Sequence, residues 1–303
     1  MFVPVPRHDP HAALLADAAF GTRPGVSATE LPAARDAREA WLRAVVLGGQ
    51  GCYAAARAEL RGSTEHRVDP VLAALAASTR GSLLRQLGWH AVAARHDGAA
   101  AALVLPGLSG EDRSSARHAP DRLDAACDAL TGLAADALGT GRTDLAADLL
   151  ARVCTVLGEA AEAPGPDRLR LAIRLRWVSA ETALAAGRCA EALPHAEAAL
   201  ALAEQGPSVR HQVKSRLLLA AATAANGSAG RACELAETVA ADCREHGLLP
   251  LRWACAMLRS GVAARDIDRT AAQREAAECA AAIEHLGGRF RPAAAGRRSS
   301  GPR

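Results

Sequence analysis

The sequence predicts an all-α protein built as an array of antiparallel helical hairpins, and three observations lead there. The 303 residues include 76 alanines against 3 isoleucines and 16 valines; alanine is the best helix former, whereas β-branched residues fill strands. Aromatic residues make up only 3% of the chain, too few for a strand-rich sandwich or barrel. A frame of small residues also recurs along the chain, as expected of stacked repeats rather than of one closed core.

Taken in order, the first element is a short helix that opens at Asp9-Pro10, an N-cap followed by proline in the first turn, and stops at Gly21. It lies in an N-terminal arm, residues 1–27, and is expected to cover the first hairpin of a repeat domain spanning 28–286. That hairpin, 29–48 with 52–62, carries Ala44, then Gly51 seven residues later, then Ala56 after five more. The second, 69–87 with 89–103, repeats the frame as Gly81, Gly88 and Ala93. The third, 120–138 with 143–157, has Ala134, Gly141 and Ala146; the fourth, 166–186 with 189–205, has Ala180, Gly187 and Ala192. The fifth, 208–225 with 229–246, has Ala220, Gly227 and Ala232, and a degenerate sixth, 248–264 with 269–286, begins near Trp253 and Ala256. Trp41 and Trp177 each stand ten residues before a turn glycine. Two helices in close contact need small residues where they cross and glycine where the chain reverses through positive φ, and this frame supplies both. Proline and glycine punctuate the connectors at 62–70, 105–120, 163–166, 206–208 and 247–250, the second of them a candidate hinge. The tail, 287–303, is rich in Gly, Pro, Ser and Arg and is expected to be disordered.

On these residues, with Tyr53 as the best-matched aromatic position, the chain resembles a tetratricopeptide (TPR)-like helical repeat of a divergent, long-repeat type over about residues 28–286. Its turn glycines are 37, 53, 46 and 40 residues apart, beyond the about 34 of a regular TPR. The resemblance implies a right-handed α-solenoid of about twelve helices. The first helices of each pair would line a concave groove that grips peptides or partner proteins.

Charge and processing signals narrow the function. Formal net charge is +3, but five arginines and no acid fall within 287–303, which leaves the rest at −2. A broad nucleic-acid surface needs many phosphate-neutralising cations, so such a role is expected only through the tail. Residues 1–20 lack the basic start and apolar run of a signal peptide. The longest uncharged apolar stretch, Leu217 to Gly230, has 14 residues, short of the roughly 18 needed to span a bilayer. Eight cysteines are scattered singly in Ala-rich stretches, which suits a reducing cytoplasm. Lys214 is the sole lysine among 36 cationic residues, as a GC-rich bacterial genome would give.

Catalytic and cofactor motifs are missing: no phosphate loop, no G-x-G-x-x-G, no H-E-x-x-H and no G-x-S-x-G. No enzyme activity and no cofactor are expected. Cys243 with His246, and His8 with His11, lack the four converging ligands of a zinc site, so no metal is expected either. The expected function is a non-enzymatic protein- or peptide-binding module or regulatory scaffold. With the Gly187 and Gly227 turns superposed, Arg170 aligns with Arg210, Arg174 with Lys214, and Trp177 with Leu217. Each set sits at i, i+4 and i+7, so two cations and an apolar residue share one helix stripe. Arg170, Arg174, Trp177, Arg210 and Lys214 are therefore the candidate partner-binding residues, suited to an acidic segment or C-terminal carboxylate because guanidinium binds carboxylate in bidentate fashion. A competing reading aligns Arg170 with Asp124 and Arg174 with Asp128, which would make the arginines structural ion pairs. The alternative function is a regulator that senses a small ligand or assists transcriptional control through its basic tail. A scaffold would show a long open groove, a sensor a cavity of roughly 300–1,000 Å³.

Overall fold

The structure, a computed structural model, describes residues 9–62, 69–108 and 120–292. Among these it holds thirteen α-helices and no strand. A single helix, α1 (Pro10–Phe20), precedes six hairpins: α2 (Ala37–Gly49) with α3 (Tyr53–Gly62), α4 (Pro70–Arg85) with α5 (His90–Val104), and α6 (Arg122–Gly139) with α7 (Thr143–Leu157). Then follow α8 (Leu169–Ala185) with α9 (Cys189–Glu204), α10 (Val209–Ala225) with α11 (Ala229–Glu245), and α12 (Leu249–Val262) with α13 (Asp266–His285). The array is all-α and TPR-like.

The frame positions behave as the spacing requires. Ala44, Ala56, Ala93, Ala134, Ala146, Ala180, Ala192, Ala220 and Ala232 are all fully buried at helix crossings. Gly51, Gly88, Gly141, Gly187 and Gly227 turn the chain with φ between +73° and +85°, a region that L-residues with a Cβ avoid. One expected helix start is corrected. The first hairpin opens at Ala37 rather than at 29, because Pro32 interrupts the segment and Asp36 supplies the cap, accepting from Glu39 N at 2.8 Å. Residues 27–31 turn on themselves, with Leu31 N donating to Ser27 O.

The first helices of the hairpins, α2, α4, α6, α8, α10 and α12, each pack on the next and form an inner wall. α5 and α6 pack directly on each other on either side of the 105–120 connector, so the array is continuous there. It also closes on itself. Val209 N donates to Gly21 O, tying the start of α10 to the end of α1. At the other end Ala54 N donates to Leu286 O, Arg57 Nη2 to Gly287 O (2.8 Å), Trp89 Nε1 to Arg289 O (2.6 Å) and Arg291 N to Leu87 O (2.8 Å). Phe290 packs on Trp253, ring centroids 5.0 Å apart. Residues 287–292 are thus a clasp on the first two hairpins and not the beginning of a disordered tail. Gly287 turns at φ +85°, and at Gly288 a Cβ would sit 2.5 Å from Ile283 Cγ2 and 2.9 Å from Tyr53 Cδ2. His8, residues 63–68 and 109–119, and Arg297, Arg298 and Arg303 lie outside the described residues. No helix among the described residues is long and apolar enough to cross a membrane.

Candidate functional site: the interior cavity

Closure of the array creates a partly open interior cavity of about 710 Å³, lined by residues of α2, α4, α6, α8, α10 and α12 together with Phe20 and His90. All five expected site residues, Arg170, Arg174, Trp177, Arg210 and Lys214, lie on its wall. The stripe at i, i+4 and i+7 therefore faces inward on both α8 and α10. The shape differs from a long open groove, because the superhelix brings its first and last hairpins together.

The cations do not form a uniform free ladder. Arg170 donates to both carboxylate oxygens of Asp128 at 2.8 and 2.7 Å and lies 3.8 Å from Asp124. Burial by itself would lower its pKa, but Asp128 and Asp124 outweigh burial and hold it above the usual arginine value. Arg174 Nε is 3.1 Å from Asp128 Oδ1. Burial, with Arg170 and Arg85 adding repulsion against the pull of Asp128, leaves its pKa lowered. Behind them Arg168 bridges Asp121 and Asp124. Asp121, Asp124 and Asp128 of α6 and its cap thus face Arg168, Arg170 and Arg174 at the start of α8, and the pairing of arginines with α6 carboxylates, set out above as the competing reading, is present. Lys214 lies 3.2 Å from Glu181 and 4.8 Å above the Trp177 ring.

Arg210 is different. Of the five cations on the wall, Arg85, Arg170, Arg174, Arg210 and Lys214, it has no carboxylate partner among the described residues. Its guanidinium donates only to main-chain carbonyls, Val45 O at 2.9 Å and Ala19 O at 3.2 Å. Burial and then the fields of Arg174 and Arg170 push its pKa down to about 10. The shift is mainly the cost of burying the charge, with repulsion from Arg174 and Arg170 added to it, and an anion placed beside the guanidinium would offset both. Two buried guanidinium nitrogens, Arg170 Nη2 and Arg174 Nε, make no well-aligned hydrogen bond among the described residues, although each has a carboxylate nearby, Asp124 at 3.8 Å and Asp128 at 3.1 Å.

Aromatic rings brace the same region. His211 stacks between Phe20 (6.5 Å) and Trp177 (5.3 Å), and Phe20 in turn meets Trp41 (5.7 Å). Arg170 lies 5.6 Å from the centre of the Phe20 ring. Burial first, and then the surrounding Arg210, Arg170, Arg174 and Lys214, hold His211 well below the usual histidine range, so it is neutral; Nδ1 sits 2.6 Å from Ser208 Oγ. Trp41 Nε1 donates to Thr79 Oγ1 at 2.9 Å and Trp177 Nε1 to Ser215 Oγ at 2.8 Å, the same offset of 38 residues in both repeats. The tryptophans are therefore both packing elements between hairpins and cavity walls.

Sequence reasoning missed a second polar cluster, on the α4, α5 and α6 side. Arg85 Nη1 donates to Asp97 (2.8 Å), Asp136 (2.7 Å) and Gly132 O (3.0 Å), and His90 Nδ1 is 3.7 Å from Asp136. Asp97 is fully buried, and burial, reinforced by Asp136 and opposed by Arg85, pushes its pKa up to about 7. Arg85 is shared between two carboxylates and offsets only part of the burial penalty on Asp97. Gly81 and Gly132, glycines inside helices, were the available signal; both make room for the Asp97 carboxyl. Among the described residues no His, Cys, Asp and Glu side chains group as metal ligands.

No known protein family matches the sequence. No curated protein matches it either. Among solved structures, the chain is similar to a crystal structure of nearly identical TPR-like repeats of a kinesin light chain from Podospora anserina, at 20% identity over 73% of this chain and 97% of that one, with a TM-score of 0.44.

Proposed function

We propose that this chain is a non-enzymatic binding module that encloses the anionic end of a partner, an acidic peptide segment, inside its closed helical array. The observation that carries the reading is Arg210, a cation on the cavity wall held between main-chain carbonyls with no carboxylate partner among the described residues. Arg174 beside it has to share the Asp128 carboxylate with Arg170. A carboxylate entering the cavity would meet these largely buried donors, where charge-assisted hydrogen bonds are stronger than in bulk water. Arg170 and Lys214, already paired, would orient the wall more than grip the ligand.

A second reading is favoured by the cavity itself. Its 710 Å³ lies in the range of small-molecule sites, so a free small anion could be the ligand of a sensor.

Titration calorimetry tests both with two probes: an N-acetylated acidic pentapeptide with a free carboxylate, and glutarate as a small dianion. The expected result is peptide binding that weakens about tenfold or more in Arg210→Met and disappears when the peptide is amidated and its acids are changed to amides. Circular dichroism and a cooperative melt establish that the variant is folded. Glutarate binding without peptide binding would move the conclusion to the sensor. Equal peptide affinity in wild type and folded Arg210→Met would overturn the site.

A further inference from the structure

The cavity wall changes character along its helices, and this bears on the ligand beyond its charge. α6, α8 and α10 are successive first helices of hairpins and run in the same direction, each packed on the next. On each of them the inward stripe starts polar and ends apolar. On α10 it passes from Arg210 and Lys214 to Leu217 and Leu218; on α8 from Arg170 and Arg174 to Val178; on α6 from Asp128 to Leu138. Glu181, the one acid in the distal part of these stripes, is held by Lys214. α12 adds Leu258 to the apolar part. The α4 stripe stays polar to its end at Ser82, Arg85 and Gln86, but on the α8, α10 and α12 side a purely ionic ligand would face Val178, Leu217, Leu218 and Leu258, of which Val178 and Leu218 show only a small part of their surface. A purely apolar ligand would lie beside a desolvated arginine.

Resting on the reading that the cavity takes an anion, we infer that its ligand is amphipathic: one carboxylate at Arg210 joined to an apolar body of several carbons lying along Val178, Leu217, Leu218 and Leu258. Two sources share that chemistry, a free medium-chain alkyl carboxylate and a peptide ending in apolar residues with a free C-terminus. The recognition follows from ordinary transfer energetics. Each methylene buried against the leucine wall contributes about 0.8 kcal/mol, which is about fourfold in affinity, while the carboxylate supplies orientation by pairing with the guanidinium.

The test is a chain-length series, butanoate, hexanoate and octanoate, against the full chain below micellar concentrations. Binding is read by calorimetry and by emission of the tryptophans, three of which, Trp41, Trp177 and Trp253, line the cavity. The expected result is an affinity rising about fourfold per methylene, so that octanoate exceeds butanoate by roughly 200-fold. Octan-1-ol should bind at least tenfold more weakly than octanoate, and octylammonium should not bind. Leu217→Asn should flatten the chain-length dependence, and Arg210→Met should abolish the preference for octanoate over octanol. N-acetyl-trileucine and octanoate as separate probes tell the peptide source from the free acid. An affinity that is the same for butanoate and octanoate, while the acidic pentapeptide still binds, overturns the amphipathic ligand and leaves the anion reading standing. Equal binding of octanoate and octylammonium overturns it as well, since the head group would then play no part. Failure of every carboxylate, pentapeptide included, overturns both. The series on the wild-type chain decides these outcomes even if a variant does not fold.

Discussion

Gly132→Ala perturbs one crowded point in the fold and tests how Asp97 is seated. A Cβ at 132 would stand 2.5 Å from Asp97 Cγ and Oδ1 and 2.7 Å from Oδ2. The carboxyl has no room to retreat, because on its other side a Cβ at Gly81 would be 2.5 Å from Oδ2. It is also held by Arg85, whose Nη1 bonds Asp136 and the carbonyl of Gly132 itself. Overpacking a dense interior costs about 1–3 kcal/mol, and weakening the hydrogen bond from the charged Arg85 to a largely protonated Asp97 about 1.5–3 kcal/mol. Against this, alanine gains about 1 kcal/mol over glycine in a helix interior. A partial disruption therefore leaves a net destabilisation of about 2–4 kcal/mol. Urea unfolding followed by far-UV circular dichroism measures it, with the slope checked for two-state behaviour because repeat arrays can unfold in parts. The same substitution in an Asp97→Ala background removes the clash, and its cost should fall below about 1 kcal/mol or reverse sign. If Gly132→Ala is as stable as wild type, or costs the same in both backgrounds, the carboxyl is not clamped between the two helices and the account is wrong.

Stability should also depend on pH in two opposing ways. Asp97 keeps its proton in the fold up to about pH 7 but loses it near 3.8 when unfolded, so its contribution to stability declines as pH rises from about 4 to 7. His211 stays neutral in the fold while the unfolded chain protonates it near 6.5, so its contribution is lost as pH falls below that value. Urea midpoints between pH 5 and 8 should therefore show wild type losing stability relative to Asp97→Asn as pH rises; parallel curves for the two proteins would contradict the raised pKa. Deleting residues 287–303 removes the three hydrogen bonds that Gly287, Arg289 and Arg291 make to the first two hairpins and the Phe290–Trp253 contact. A loss of roughly 2–4 kcal/mol and red-shifted tryptophan emission from Trp89 and Trp253 should result, whereas an unchanged melt and spectrum would show that the clasp does not hold the array closed.

Much of the architecture is legible in local chemistry. A glycine seven residues after a small residue and five before an alanine predicts a reversal between two closely crossing helices, and every turn glycine so placed has positive φ with its alanines fully buried. The first hairpin's start was misplaced because propensity ran through Pro32, while the decision fell to the Asp36 cap. The site was half legible. Spacing at i, i+4 and i+7 put Arg170, Arg174, Trp177, Arg210 and Lys214 on common stripes, and repeat alignment brought Arg170 and Arg174 against Asp124 and Asp128. Nothing local distinguishes Arg174 from Arg210, whose partners are carbonyls 165 and 191 residues away. The histidine caught between Phe20 and Trp177, and the Asp97 carboxyl wedged between Gly81 and Gly132, likewise depend on helices far apart in the chain.

Local periodicity and turn chemistry act within one hairpin, so the helices, their pairing and the inward-facing stripes can be read from residue spacing alone. Whether the stack stays open or closes depends on small rotations summed over six hairpins and on connectors of unequal length. That the ends meet, that the groove becomes a cavity, and that Arg210 stands there without a counter-charge among the described residues follow from contacts between helices far apart in the chain.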